Sequence, residues 1–184
     1  MKNKILLLSA GLLFCTIFYS CSNQANESKQ AASAAIEQNK AAMAQIYTAF
    51  STGNTADLPN YVDANVVEHS PDPNIAETGI EGLTKAIEMY RTSFPDLKME
   101  VISMVAEGDV VTTHYAMTGT NTGPMGEMPA TNKTMNISGV DIIKFKDGKA
   151  IEHWGYNEEM KMMEQMGMMQ EPAGMPMDPA AETK

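Results

Sequence analysis

The sequence predicts an α+β domain in which two amphipathic helices precede a bent antiparallel sheet. One observation is the helical spacing of apolar residues in the N-terminal half of the chain. Another is the change to a period of two after Pro95, which is typical of half-buried strands. The hairpin signals Gly108-Asp109 and Asp147-Gly148 then favour antiparallel neighbours. Helices followed by strands in this order indicate the α+β class, with the sheet closing on the helices.

The boundaries of the helices follow from glycine and proline. The first helix ends at Gly53, and the second runs from about Ile80 to Phe94, where Pro95 stops it. Val62 to His69 predicts a short strand between them. The apolar stripe of the first helix consists of Ile36, Met43, Ile46, Tyr47 and Phe50.

Four further strands and one long loop complete the predicted domain. The strands are expected at Leu97–Ala106, Val110–Thr120, Met135–Phe145 and Ala150–Tyr156, because apolar and polar residues alternate there. The loop from Asn121 to Thr134 is rich in Gly, Pro and Thr. Its length is typical of a mouth or lid.

Composition excludes several classes of function. The 184 residues carry 13 Lys and Arg against 23 Asp and Glu, a formal net charge of −10. Such acidity argues against a nucleic-acid partner, which needs a basic surface, and against electrostatic attachment to anionic lipid. A hydrophobic content of 43% is too high for a disordered chain, and the length suits one domain.

The N-terminus has the layout of an export signal. A short basic start precedes an apolar run from Ile5 to Tyr19, and Ser20 then precedes Cys21 in a relaxed form of a bacterial lipobox. Residues 1–20 are therefore predicted to be a lipoprotein signal peptide and Cys21 the lipidated residue. The alternative is an ordinary secretory signal with an incidental cysteine.

Export would leave a single cysteine and a more acidic chain. Removing residues 1–20 takes away two lysines and no acid, so the net charge becomes −12, from 11 basic and 23 acidic side chains. With Cys15 removed, neither a disulfide framework nor a Cys-rich metal site is expected. The small polar residues of 21–35 predict a tether. The expected location is the bacterial cell envelope, on the extracytoplasmic side.

A series of short motifs carries a family resemblance. Their order and spacing over about residues 36–167 resemble the SnoaL-like branch (polyketide or ester cyclases) of the nuclear transport factor 2-like (NTF2-like) superfamily. The resemblance implies a cone-shaped α+β fold, with a curved antiparallel sheet wrapped on N-terminal helices around an apolar cavity. It implies a small apolar or carbonyl ligand, a homodimer, and neither cofactor nor metal. The motifs are Ser93-Phe94-Pro95-Asp96-Leu97, Ala106-Glu107-Gly108-Asp109-Val110-Val111, Thr118-Gly119-Thr120-Asn121-Thr122-Gly123, Pro129-Ala130-Thr131-Asn132-Lys133, Asp147-Gly148-Lys149-Ala150-Ile151-Glu152-His153-Trp154 and Gln165-Met166-Gly167.

The resemblance also implies where acid–base chemistry should lie. The cyclases of this family use a carboxylate near the end of the last strand, assisted by a histidine one strand earlier. In this chain the carboxylate position falls on Gly155 and the histidine position on Asp141. The usual catalytic carboxylate is therefore expected to be missing.

Three other residues are candidates for the acid–base role. Asp141 alternates with apolar residues on one strand face, so it is expected either to have a perturbed pKa or to be paired. His153 shares strand parity with Gly155 and is either a site residue or a structural histidine. His69 precedes a Pro-rich turn, where relatives often place a polar pocket residue.

Four residues are candidates for ligand binding. Tyr115 and Trp154 are expected in the wall of the cavity or in the core. His114 alternates with Tyr115, so only one of the two should face inward. Glu158 occupies a position where the broader family has an acid, and there it either caps the closing helix or binds ligand.

These observations leave three hypotheses open. The first is an enzyme in which Asp141, with His69 or His153, moves protons on a carbonyl or cyclic ester substrate. The second is a non-catalytic ligand-binding module. The third is a Cu(I)-binding envelope protein, because eight of the 17 Met residues fall between positions 160 and 177. The alternative for these Met residues is an apolar helix face followed by a disordered tail over residues 168–184.

Overall fold

The computed structural model describes residues 10–169 of the chain. Residues 170–184 of the predicted tail (168–184) and the first nine residues of the predicted signal lie outside the described part. The elements in chain order are α1 (Ala10–Thr52), α2 (Leu58–Tyr61), β1 (Val62–Glu68), α3 (Gly79–Ser93), β2 (Lys98–Glu107), β3 (Val110–Thr120), β4 (Thr134–Lys146), β5 (Lys149–Asn157) and α4 (Glu159–Met166).

The five strands form one bent sheet in the order β1-β5-β4-β3-β2. The pairs formed by β2 to β5 are antiparallel, as predicted, whereas β1 runs parallel to β5. The β4–β5 hairpin turns at Asp147 and Gly148, both with positive φ, which the predicted hairpin requires. Register shifts in the β1–β5, β2–β3 and β4–β5 pairs bend the strands.

The core lies between the concave face of the sheet and the helices. α1 packs against β2, α3 against β1, and α4 against β4. The predicted stripe of α1 supplies part of this core, because Met43, Ile46 and Tyr47 are buried. Other fully buried side chains are Leu58, Ile87, Phe94, Leu97, Val111, Met135, Ile137, Phe145 and Met166.

The N-terminal part of α1 extends beyond the core. The helix was expected to begin near Ile36, but the described residues before that position, from Ala10 onward, are already helical. Residues 26–35, predicted as a tether, are helical and exposed. Within the described residues, no helix combines the length and the apolarity that crossing a bilayer requires.

The methionines of α4 serve mainly in packing. Met162 and Met166 lie one turn apart and are buried in the core, whereas Met160 is exposed. This arrangement agrees with the predicted apolar helix face, although Met160 does not take part in it. Met175 and Met177 lie outside the described residues.

Candidate active site

A row of four polar side chains crosses the concave side of the sheet. The Tyr47 hydroxyl of α1 donates a hydrogen bond to Asp141 Oδ2 at 2.8 Å. The other carboxylate oxygen, Oδ1, lies 3.2 Å from Nε2 of His153. On the far side of the imidazole, Nδ1 contacts Oε2 of Glu68. Strands β1, β5 and β4 and helix α1 thus each contribute one residue.

The register of the strands explains this row. Asp141 on β4 pairs with Gly155 on β5, and His153 lies two residues before Gly155 on the same face. The parallel pairing of β1 with β5 places Glu68 directly beside His153. Tyr47 belongs to the buried stripe of α1, so it contacts Asp141 from the helix side of the sheet.

Gly155 leaves the space that the imidazole of His153 needs. A Cβ atom at position 155 would lie 3.1 Å from Cε1 of His153 and 3.4 Å from Oδ1 of Asp141. A larger side chain at this position would therefore compete with the His153–Asp141 contact.

The row opens to solvent at one end. The exposed fraction of the side chain falls from 40% at Glu68 to 27% at His153 and 12% at Asp141. Tyr47 is buried at the inner end. Access from solvent is therefore greatest at Glu68 and smallest at Asp141 and Tyr47.

The two carboxylates hold His153 in its charged form. Burial by itself would lower the pKa of His153, but hydrogen bonds and charge from Asp141 and Glu68 raise it to about 9. Burial would raise the pKa of Glu68, yet His153 and the backbone N–H of Ser70 outweigh it, and the pKa of Glu68 is lowered. At neutral pH the row therefore contains an imidazolium next to a carboxylate.

Three tyrosines surround Asp141 with neutral hydroxyl groups. Burial, followed by the charge or hydrogen bond of Asp141, raises the pKa values of Tyr47 and Tyr115 well above their ordinary value. Burial, together with Asp72 and other acidic groups, raises the pKa of Tyr90 to about 12. These hydroxyls are thus donors over the whole physiological range.

Tyr115 packs closely against the sheet at this site. Its ring lies 5.6 Å from the ring of Tyr47, centroid to centroid. A Cβ atom on Gly139, its partner on β4, would lie only 2.4 Å from the hydroxyl of Tyr115. The absence of a side chain at Gly139 therefore allows the phenol to lie flat over β4.

Thr113 adds a buried hydroxyl next to the row. It pairs with Asp141 across β3 and β4 and is fully buried. Its hydroxyl lies beside that of Tyr47 and partly offsets the rise in the pKa of Tyr47.

Two of the predicted site residues lie on the opposite, convex face. The ring of His69 stacks on Trp154, with centroids 4.2 Å apart, and its Nε2 lies 3.1 Å from Glu152. Strand alternation separates His69 and Trp154 from Asp141. Glu68 and His153 face inward, so the residues that follow them in the sequence face outward. The prediction that His69 shares a pocket with Asp141 is corrected, as is the inward position of Trp154.

His114 and Glu158 also lie away from the row. Tyr115 is buried and His114 is half-buried on the other side of β3, so Tyr115 is the inward member of this pair. Glu158 is exposed at the N-cap of α4, but its side chain makes no capping hydrogen bond. Instead, Oε2 accepts hydrogen bonds from the backbone N–H of Ser138 and from Lys161. Neither residue is placed to touch a ligand at Asp141.

Sequence reasoning missed Glu68 and the polar role of Tyr47. A buried tyrosine on an apolar helix stripe needs a hydrogen-bond partner for its hydroxyl, so the position of Tyr47 in the stripe could have indicated a polar contact. No sequence pattern indicates the contact of Glu68, because that contact depends on the parallel pairing of β1 with β5. The predicted lipidation site, Cys21, lies outside the residues whose side chains the structure describes.

Two surface recesses lie elsewhere and are less suited to chemistry. One, of about 50 Å³, lies between α1 and α2. The other, a shallow recess of about 410 Å³, lies beside Arg91 and Pro95. Neither is lined by Asp141 or His153. Among residues 10–169, no group of three or more His, Cys, Asp or Glu side chains is arranged to hold a metal ion.

Comparison with known proteins points to one family. The sequence model of the SnoaL-like polyketide cyclases matches residues 41–166. Nogalonic acid methyl ester cyclase of Streptomyces nogalater is 22% identical over 121 residues, which cover 65% of this chain and 90% of that protein. Aklanonic acid methyl ester cyclase DauD of Streptomyces sp. strain C5 is 26% identical over 125 residues, which cover 65% of this chain and 75% of that protein. The solved structure of TsrD from Streptomyces laurentii has a TM-score of 0.66 at 24% identity, covering 72% of this chain and 97% of that one.

Proposed function

Since the chain belongs to the family of SnoaL-like polyketide cyclases, we propose that it is an enzyme that moves protons on a small carbonyl substrate, with Asp141 as the base. The observation that carries this proposal is the Asp141–His153 pair on the concave side of the sheet, at 3.2 Å. The pair offers one acceptor and one donor side by side. An enolising carbonyl compound requires both.

The proposed reaction balances without a cofactor. Asp141 removes a proton from the carbon next to a carbonyl group, and the electrons of the C–H bond form an enolate. The enolate carbon attacks a second carbonyl carbon of the same molecule, which closes a ring and leaves an alkoxide. His153 donates its Nε2 proton to that alkoxide. The proton on Asp141 then passes to His153, which restores both groups.

The surroundings of the pair suit this assignment. The Tyr47 hydroxyl holds Asp141 in position through Oδ2, which leaves Oδ1 at the side where His153 lies. The Tyr115 hydroxyl is a neutral donor that can stabilise developing negative charge on the substrate oxygen. Ile143 and Ile137 lie buried on the same face of β4, so the surroundings of Asp141 on its own strand are apolar.

The names of two relatives suggest a class of substrate. Both are cyclases of a methyl ester, nogalonic acid methyl ester in one and aklanonic acid methyl ester in the other. For this chain we therefore propose an uncharged carbonyl compound that contains an ester. A neutral substrate also suits a site with two carboxylates and one imidazolium, since a free carboxylate would be repelled.

The proposal is tested by proton exchange at the substrate carbon. The protein is incubated in D₂O with each of the two methyl esters, and NMR follows both deuterium incorporation and ring closure. Asp141→Asn should lower the exchange rate by about 10²-fold or more, because the amide cannot accept the proton. The matched control is Asp109→Asn, an exposed residue in the β2–β3 hairpin, which should exchange at the wild-type rate.

Two results would contradict the proposal. In one, Asp141→Asn folds normally and exchanges at the wild-type rate. In the other, the wild-type protein binds a carbonyl ligand and gives neither exchange nor ring closure, which would make it a binding module.

We also propose that the protein acts at the cell envelope, anchored by lipid on Cys21. The support is the basic start, the apolar run and the cysteine after Ser20. Detergent partitioning of wild-type protein and a Cys21→Ser variant from the same bacterial host tests this. The anchor is disproved if the variant still partitions with membranes.

A further inference from the structure

We infer that Glu68 is a positioning residue which fixes His153 as an imidazolium, directs its Nε2 proton toward Asp141, and so assigns the acid role to His153. The acid role of His153 rests on the proposed function. The contacts of Glu68 with the imidazole, and the titration that tests them, do not require a substrate.

The two contacts of the imidazole ring decide its protonation. Nε2 lies 3.2 Å from Oδ1 of Asp141, and Nδ1 contacts Oε2 of Glu68. An ionised carboxylate only accepts hydrogen bonds, so a carboxylate that faces each ring nitrogen favours a proton on both nitrogens. A neutral imidazole carries one. The pair of carboxylates on opposite sides of the ring therefore stabilises the cationic form.

The position of Glu68 results from the topology of the sheet. β1 runs parallel to β5 and pairs Glu68 with His153. Oε1 of Glu68 accepts a hydrogen bond from the backbone N–H of Ser70 at 2.7 Å, which holds the carboxylate while Oε2 faces the ring. The groups that face the imidazole are thus Glu68 from β1 and Asp141 from β4, while Tyr47 from α1 faces Asp141.

The two carboxylates have different roles in this arrangement. Asp141 lies at the buried end, among the buried apolar residues of β4. Glu68 lies at the open end and contacts only the far nitrogen of the ring. Removing Glu68 would leave Asp141 in place but free the imidazole to lose its proton or to turn. The proton held toward Asp141 would then be present in only part of the population.

The test is an NMR titration of the histidines in the full chain, labelled with ¹³C at Cε1. The chain contains only three histidines, so single substitutions assign the signals. In the wild type, the His153 signal should titrate near pH 9, in keeping with its raised pKa. In Glu68→Gln, its pKa should fall by about one unit or more, because an opposite charge in contact is lost.

A matched control exists on the other face of the sheet. Glu152 contacts Nε2 of His69 at 3.1 Å, just as Glu68 contacts His153. Glu152→Gln should leave the titration of His153 unchanged. An unchanged pKa of His153 in Glu68→Gln, or an equal fall in Glu152→Gln, would overturn the inference. A His153 pKa near the ordinary 6.5 in the wild type would also overturn the inference, whether or not Glu68→Gln folds.

Turnover gives a second readout. If His153 acts as the acid, activity should fall at alkaline pH as the imidazolium loses its proton, and Glu68→Gln should move that fall to lower pH. A purely structural role would lower activity equally at every pH. Wild-type activity in Asp141→Asn would refute the proposed function, whereas the titrations of the wild type and of Glu68→Gln would still decide the role of Glu68.

Discussion

Asp141 pairs with Gly155 across β4 and β5, and the imidazole of His153 fills the space beside Gly155 where a side chain would lie. The family resemblance implies a carboxylate on the last strand and a histidine on the strand before it. In this chain the carboxylate of Asp141 is on β4 and the imidazole of His153 is on β5. The two kinds of group are both present, but on exchanged strands, and Gly155 is what makes the exchange sterically feasible.

Gly155→Ala tests this steric relationship. The new methyl group would lie 3.1 Å from Cε1 of His153, so the ring must move, and the free energy of unfolding should fall by about 1–3 kcal/mol. Urea denaturation measures this change. In a His153→Ala background the same substitution should cost much less, because the obstructing ring is gone. Equal costs in both backgrounds would show that the ring does not depend on the glycine.

Much of the fold was predictable because it depends on local patterns. The β3 strand matches its predicted bounds of Val110–Thr120, and the β4–β5 turn occurs at the predicted Asp147-Gly148. Period-two alternation and turn residues determine these features within a few positions of the chain. The alternation also predicted that His153 and Gly155 share a face.

The candidate site was only partly predictable because its contacts join distant segments. Asp141 and His153 come from a hairpin, and their meeting follows from strand parity. The contact of Glu68 with His153 spans 85 residues, and that of Tyr47 with Asp141 spans 94. Both contacts depend on how β1 and α1 pack against the rest of the sheet. The periodicity of the sequence does not predict this packing. The position of His69 before a Pro-rich turn predicted a pocket residue there, but strand parity directs its side chain outward onto Trp154.

Tyr47→Phe should destabilise the protein through Asp141. The substitution removes the hydroxyl that donates to a buried carboxylate oxygen at 2.8 Å, which should cost about 2 kcal/mol of unfolding free energy. Tyr90→Phe is the control, since Tyr90 is a partly buried tyrosine on which the charge of Asp141 also acts, and its hydroxyl makes no hydrogen bond within the described residues. Chemical denaturation of both variants measures the difference. Equal stability of the two would mean that the Tyr47–Asp141 hydrogen bond contributes little.

Asn121→Ala should loosen the long loop between β3 and β4. The buried side chain of Asn121 donates to the carbonyl of Gly123 at 2.9 Å and accepts from the backbone N–H of Thr131 at 2.8 Å, which fastens both ends of the loop. Losing these bonds should cost about 3 kcal/mol and speed hydrogen exchange at the Thr131 amide. Asn54→Ala, at an exposed turn, is the control. Unchanged exchange at Thr131 would show that the loop is held by other contacts.

The stability of the protein should depend on pH through His153. Its pKa is raised from about 6.5 to about 9 in the folded state, so the folded state binds a proton that the unfolded state releases between these values. The resulting stabilisation is fully present below about pH 6.5 and is lost as the pH rises through 9, with an upper limit of about 3 kcal/mol. The lowered pKa of Glu68 acts at the acid end, where stability is lost as the pH falls. Urea unfolding at pH 6.5 and pH 9 should therefore show a fall in the wild type and a smaller one in His153→Gln, while Glu152→Gln keeps the wild-type fall. An identical fall in His153→Gln would assign the pH dependence to other groups. The pH dependence would then no longer support a charged His153 at the centre of the site.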